Sequence, residues 1–359
     1  MNKSPIVGWD VGGAHLKAAL LDEEGKLLHV IQVPCALWRG LSELENAIDA
    51  VLGKFGISTA QHAITMTGEL VDLFANRQVG VNEISRLMHA KLGGTQQFYS
   101  GALKPDFTYF VAVDEVDAHW QHIASANWLA SAGFVAQHVE HGLLIDIGST
   151  TTDLVLIERH IPICLGFTDA ARMQTEELVY TGVIRTPLMA ITQKIEFQNI
   201  QTSVAAEYFS TSADVYRLTG DLAVEDDMAD TADGKDKSSL ASAQRIARMI
   251  GHDASDSPFD TWIALAQSFK QLQLIRLQEV AEKQIARLKD RTNVVIIGAG
   301  TGKFMVREIA AKLDIPYVEV ADLLGEMKAT SHTKHWASVC LPAYAVAYLA
   351  FNNKNNHSI

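Results

Sequence analysis

An α/β protein built from two similar halves is the fold class this sequence predicts, and three stretches carry the prediction. Leu143 to Ile157 (LLIDIGSTTTDLVLI) sets Asp146 and a run of small hydroxylated residues between two short apolar, β-branched-rich segments of strand length. Ile6 to Leu21 (IVGWDVGGAHLKAALL) repeats that order with Asp10 and Gly12-Gly13. Val294 to Ala310 (VVIIGAGTGKFMVREIA) is a strand that turns through glycines into a helix.

The first two stretches read as phosphate-holding hairpins. No helical periodicity follows Gly148, which excludes a Walker loop. The glycine lets backbone approach a ligand, and the N–H groups of Ser149 to Thr152 can converge on an anion. A carboxylate beside such a cradle is tolerated where a hard cation or its bound water lies between, which makes Mg2+ the expected ion and Asp10, Asp146 and Asp153 its expected holders. Two halves, each with one loop, predict domains at residues 1–140 and 141–339 with a shared cleft, and a last apolar helix, 340–351, folding back on the first domain.

Composition bounds the function. At 359 residues with 48% hydrophobic and 20% charged content, the chain is long enough for two domains and an ample core. A net charge of −12 opposes a nucleic-acid partner, whose phosphates this surface would repel. No apolar run reaches membrane-spanning length, and MNKSPIVGWD enters a strand without a signal-peptide core, so no membrane partner and a cytoplasmic location are expected. Cys35, Cys164 and Cys340 are odd in number and far apart, and read as buried thiols rather than a disulfide framework or a metal knuckle. The i, i+3 pairs His119/His122, His138/His141 and His332/His335 place no third ligand and read as exposed or capping histidines. The oligomeric state stays open, a homodimer included.

Along the chain, Gly40 to Gly56 carries a helical stripe ended by glycine. His62 to Phe74 reads as a strand entering a Thr-Gly-Glu turn and a helix; Glu69 then stands at a strand's carboxyl end, where α/β folds bind ligands. Val79 to Leu92 is helical, Phe107 to Val113 a strand, and Asp117 to His138 one long helix with Asn127 in its middle, a poor helix-interior residue with a hint of a specific role. A short helix from Gln174 to Tyr180 precedes Arg185, whose guanidinium suits an anionic substrate group. The acidic, apolar-poor run Ala223 to Ser239 reads as a long mobile loop with Lys235 at its tip. Helices are expected over Leu240 to Ile250 and about Phe259 to Leu288. GAGTGKF, with Gly298, Gly300 and Gly302, meets neither the Walker spacing nor the dinucleotide fingerprint, and only Glu319 keeps a Rossmann reading alive.

The two loops and the third glycine turn resemble the actin, sugar kinase and heat-shock-70 (ASKHA) superfamily of ribonuclease H-like folds. That resemblance implies a two-domain actin-like architecture with a shared interdomain cleft and the third turn on the adenosine side. More narrowly, TGELVD, SANW, DIGSTTTD, ELVYTGVIRTP, AEYFSTSADV, TADGKDKSS and LPAYAVA, in this order over nearly the whole chain, resemble the hydantoinase/oxoprolinase-like family of tetrahydromethanopterin-linked one-carbon metabolism.

The narrower resemblance implies the aryl-ether synthase of methanofuran biosynthesis, which joins an aminomethylfuran-methyl diphosphate to the phenol of a γ-glutamyltyramine or tyrosine-type acceptor and releases diphosphate. It leaves a requirement for ATP open. It implies Asp10, Gly12, Gly13 and Lys17 for the first loop and Asp146, Gly148, Ser149, Thr150 and Thr151 for the second. Asp153 would support the metal, and Arg185 and Lys235 would clamp substrate. The family's first loop usually reads Gly-Gly-Ala-Asn; here the last position is His15, an amide-like phosphate donor or a base for the attacking phenol. The competing class is an ATP-dependent hydrolase or small-molecule kinase. A non-catalytic nucleotide-binding module is weaker, because both loop acids are intact.

Overall fold

A computed structural model describes residues 4–57, 59–101, 110–324 and 330–356. The chain divides into two compact units, one of residues 1–140, 157–163 and 319–359 and the other of 141–156 and 164–318. Residues 157–163 and 319–339 thus join the first unit.

In chain order the first unit holds β1 (Ile6–Val11), β2 (His15–Leu21), β3 (Leu27–Pro34), α1 (Leu41–Phe55), β4 (Ala60–Met66), α2 (Arg77–Lys91), β5 (Gly94–Tyr99), β6 (Phe110–Val111), α3 (Val116–Ile123) and α4 (Asn127–Ala136). The sheet runs β3-β2-β1-β4-β5-β6, with β1 antiparallel to β2 and parallel to β4. Every residue of β1 is buried, as a central strand covered on both faces should be. α1 buries Leu44, Ala47, Ile48 and Val51 and stops where Gly56 turns left-handed and donates to Leu52 O. The C-terminal helix, Leu341–Asn356, packs on β1, β2, β4 and α4, its small buried residues Ala343 and Ala347 permitting close approach.

The second unit and its flanks follow as β7 (His141–Ile147), β8 (Thr152–Glu158), β9 (Ile161–Ile163), α5 (Asp169–Gln174), β10 (Leu178–Val179), α6 (Leu188–Ile191), β11 (Lys194–Phe197), β12 (Ile200–Ser203), α7 (Ser212–Thr219), α8 (Ser239–Arg248), α9 (Phe259–Ile285), β13 (Val295–Ala299), α10 (Lys303–Lys312) and β14 (Tyr317–Glu319). Its sheet runs β10-β8-β7-β13-β14, with β13 parallel to β7. Leu143, Ile145, Ile147, Leu156, Ile246, Met249, Phe269 and Ile296 share one core.

Five expectations change. The long helix over Asp117 to His138 is broken: α3 ends at Ile123, and Ser125 takes a φ of 52°. The cause is tertiary, because the Ser125 hydroxyl donates to the Glu69 carboxylate at 2.8 Å. The Thr-Gly-Glu turn opens only a single 3₁₀ turn, Gly68–Leu70, and the next α-helix waits for the Asn76 cap of α2. The helix placed at Gln174 to Tyr180 lies earlier, as α5, because Glu176 turns left-handed and buried Glu177 accepts from the amides of Leu165 and Gly166. The segment after it joins the sheet edge as β10. Of the strand expected at Phe107 to Val113, only β6 is seen; 107–109 lie outside the described residues.

The fifth change is the acidic run 223–239, which is pinned rather than loose. Arg217 grips Asp227 with two hydrogen bonds, 2.7 and 2.9 Å, and buried Arg245 bridges Asp214 (2.7 Å) to Asp233 (3.0 Å). Paired with buried guanidinium groups, these carboxylates act as fasteners. Composition alone reads them as solvated.

Candidate functional site

The loop between β1 and β2 is built on Asp10, 3% exposed and in register with Lys17 across the strand pair. The Lys17 ammonium stands 3.6 Å from the carboxylate, and the Asn127 amide reaches it at 3.5 Å. The break before α4 is what makes this contact, since it places Asn127 at the first turn of a helix instead of mid-helix. Gly12 N–H donates to His15 O (3.0 Å) and closes the turn. The carbonyls of Val11, Gly13 and Ala14 are taken by the amides of Thr67, Leu37 and Cys35. Among the described residues, the amides of Gly13 and Ala14 donate to nothing.

The loop between β7 and β8 repeats this construction. Gly148 N–H donates to Thr151 O (2.9 Å), the same i to i+3 closure two residues past the aspartate. The Gly148 carbonyl accepts from Val183 (3.1 Å), and that of Ser149 from Ile184 (3.1 Å) and Arg185 (2.8 Å). The amides of Ser149, Thr150 and Thr151 donate to none of the described residues. In each loop the carbonyls face protein partners while consecutive amides are left over, an arrangement suited to an anion. Gly182 is what lets the 181–185 segment lie so close: a β-carbon there would overlap the Ser149–Thr150 peptide.

The third glycine turn belongs to this second site. Ala299 is in register with Asp146, Gly302 N–H donates to Ile147 O (2.8 Å), and Gly300, at a φ of 79°, leaves no room for a side chain against Asp146 and Ile147. α10 begins at Lys303, so the positive end of a ten-residue helix lies at the turn.

Several expected residues are placed elsewhere. Asp153 pairs with the buried guanidinium of Arg172 at 2.8 Å, which ties β8 to α5. Glu69, 1% exposed, anchors Ser125 and so supports Asn127 indirectly. The Arg185 side chain is exposed, but its backbone is the part that touches the loop. Lys235 is exposed on the Asp233-Gly234 turn of the pinned segment. Glu319 ends β14, half-buried. Cys35 and Cys340 are buried and Cys164 is half-buried; burial pushes the thiols of Cys35 and Cys164 up to about 12, which keeps them protonated and inert at neutral pH. Sequence reasoning missed Arg172, Thr181, Gly182 and Gln273, which hold the second loop from beneath. The only signal was Thr-Gly followed by Arg-Thr-Pro just after the strand.

Residues 107–331 match the hydantoinase/oxoprolinase family. This chain belongs to that family. This family member is 30% identical over 301 residues, 83% of its own length and 87% of the relative's, to the (4-{4-[2-(gamma-L-glutamylamino)ethyl]phenoxymethyl}furan-2-yl)methanamine synthase of Methanocaldococcus jannaschii. It is 29% identical over 232 residues to the synthase of the same name from Methanococcus vannielii, covering 62% of this chain and 97% of that one. Among solved structures, nucleotide-free acetone carboxylase superposes with a TM-score of 0.53 at 9% identity, over 96% of this chain and 70% of that one, which shows the actin-like α/β fold and nothing of its chemistry. No helix among the described residues is long and apolar enough to cross a membrane.

Proposed function

We propose that this hydantoinase/oxoprolinase family member forms an aryl ether by displacing diphosphate from an aminomethylfuran-methyl diphosphate with the phenol of a γ-glutamyltyramine or tyrosine-type acceptor. The observation that carries the reading is the pair of matched loops, each with an aspartate two residues before the closing glycine and with consecutive amides left for an anion. The names of the two relatives supply the product, a phenoxymethylfuran methanamine that carries a γ-glutamylaminoethyl group.

In the reaction the phenol oxygen attacks the furan-bearing methylene, the carbon–oxygen bond to diphosphate breaks, and the phenol loses its proton. The amides of Ser149 to Thr151 stabilise charge as it grows on the leaving group; one such preorganised element is typically worth 10² to 10³ in rate. A phenol of pKa near 10 needs a base at neutral pH.

A divalent ion fits this donor set at Asp146, a partly exposed carboxylate two residues before the Gly148 turn, because Mg2+ is usually bound through one or two carboxylates together with substrate phosphates. Asp10 faces an ammonium and an amide, and Asp153 a guanidinium. When bound, Mg2+ would neutralise charge on the departing diphosphate.

A second reading, an ATP-dependent hydrolase or kinase, is favoured by one observation: the glycine turn before α10 abuts Asp146, as a nucleotide-phosphate turn would. The two part in one experiment. The furan diphosphate and γ-glutamyltyramine are incubated with enzyme and Mg2+ without ATP, and ether and diphosphate are quantified. Equal amounts of both are expected; no ether with or without ATP, and ATP consumed instead, would favour the second reading.

A further inference from the structure

Gln273 lies near the middle of α9, 2% exposed, among the buried apolar residues Phe269, Leu274 and Leu277. A carboxamide at such a core position is costly unless its polar atoms are satisfied. Here they are. Both hydrogens of Nε2 are donated, to Thr181 Oγ1 (2.8 Å) and to Gly182 O (3.0 Å), while Oε1 accepts from the Tyr216 hydroxyl (2.8 Å). The Gly182 carbonyl fixes the amide's orientation, because a flipped amide would set oxygen against oxygen.

The segment that Gln273 grips is the one that holds the second phosphate loop. The Thr181 carbonyl accepts from Thr152 Oγ1 at 2.7 Å, Gly182 lies against the Ser149–Thr150 peptide, and the next three amides occupy the carbonyls of Gly148 and Ser149. Thr186 closes the segment by accepting from Gly182 N–H at 2.7 Å. A continuous buried chain therefore runs from Tyr216 through Gln273 and Thr181-Gly182 to the loop. Because the loop's carbonyls are fixed from below, the direction of its remaining amides is fixed too, and small misplacements of such donors cost much of their effect.

On the reading that Ser149 to Thr151 hold the departing diphosphate, we propose that Gln273 is the positioning residue of that loop, acting through Thr181 and Gly182 without touching substrate. The probe is inorganic diphosphate with Mg2+, its affinity measured by calorimetry beside thermal unfolding and transferase kinetics. Gln273→Leu keeps the volume and removes all three hydrogen bonds; Thr181→Val removes one and serves if the first variant fails to fold. Tyr216→Phe is the control, since it weakens the buried chain at the end far from the loop.

Gln273→Leu is expected to weaken diphosphate binding about tenfold or more and Thr181→Val by less, with kcat falling and KM for the phenolic acceptor unchanged. Tyr216→Phe is expected to lower the unfolding temperature while keeping affinity near wild type. Wild-type diphosphate affinity in Gln273→Leu and Thr181→Val, or a loss in Tyr216→Phe that tracks its lost stability, overturns the positioning role. A wild-type enzyme that binds diphosphate with this mutant pattern, yet releases none from the furan substrate, sinks the proposed reaction and leaves Gln273 in its role. A wild-type enzyme that does not bind diphosphate sinks both.

Discussion

A β-carbon on Gly300 would overlap the Oδ1 atom of Asp146, so the glycine-rich turn and the second loop form one packed body. Gly300→Ala also forces a side chain into the left-handed region, at a cost of roughly 1–2 kcal/mol before any clash is relieved. A lower unfolding temperature and a loss of turnover are expected together. The substitution displaces Asp146 whether or not a nucleotide binds, so turnover in this variant does not separate the two functional readings; ATP binding measured on the wild type does. Unchanged stability and turnover in Gly300→Ala would contradict the packing described.

Lys17 and Asp10 should respond unequally to neutral replacement. Asp10→Asn retains an acceptor for the Asn127 amide and removes a buried charge, whereas Lys17→Met takes a cation away from a carboxylate that is 3% exposed. Lys17→Met is expected to be the less stable variant, by on the order of 1 kcal/mol given the partial exposure of the lysine. Denaturant midpoints for both test this, and equal midpoints would argue that the pair is fully solvated.

The acidic run after α7 should behave as a fixed part of the second unit. Arg245→Met strips Asp214 and Asp233 of a shared buried partner, and breaking one side of such a network typically costs about 3 kcal/mol. Limited proteolysis should cut 223–238 slowly in the wild type and readily in Arg245→Met. Rapid cutting of the wild type there would restore the mobile-loop expectation.

Stability should fall in mild acid because of His62. Burial pulls this histidine from its ordinary 6.5 down to about 4, partly offset by its hydrogen bond to the Gly93 carbonyl, while Nδ1 accepts from Trp9. Between those values the unfolded chain binds the proton and the folded one does not. The stabilisation is therefore complete above about pH 6.5 and is lost as pH falls towards 4, a change of about 3 kcal/mol for a shift of this size. Unfolding temperatures from pH 7 to 4.5 should show the slope, and His62→Gln should flatten it. An equal slope in the variant would assign the effect to other groups.

Much of this was legible in the sequence for identifiable reasons. The strands around Asp10 and Asp146 carry their own signal, since a buried apolar run broken by Asp and Gly permits few structures, and Gly56 ends α1 where a glycine after a periodic stripe should. What was illegible depends on residues distant in the chain. The break before Asn127 needs Glu69, the early stop of α5 needs Glu177 turned inward, and the fixing of 223–239 needs Arg217 and Arg245, whose partners composition cannot supply. The Asp153–Arg172 ion pair was illegible for the same reason, because nothing near Asp153 in sequence announces Arg172 as its partner.

That the Asp146 loop stabilises a departing diphosphate is tested by measuring diphosphate release from Asp146→Asn at several Mg2+ concentrations. Asn is nearly isosteric and still accepts hydrogen bonds in the turn. Turnover should fall by about 10² to 10³ with weakened Mg2+ dependence while thermal unfolding stays near wild type. Wild-type turnover with lowered stability would show instead that the carboxylate only ties down a hairpin.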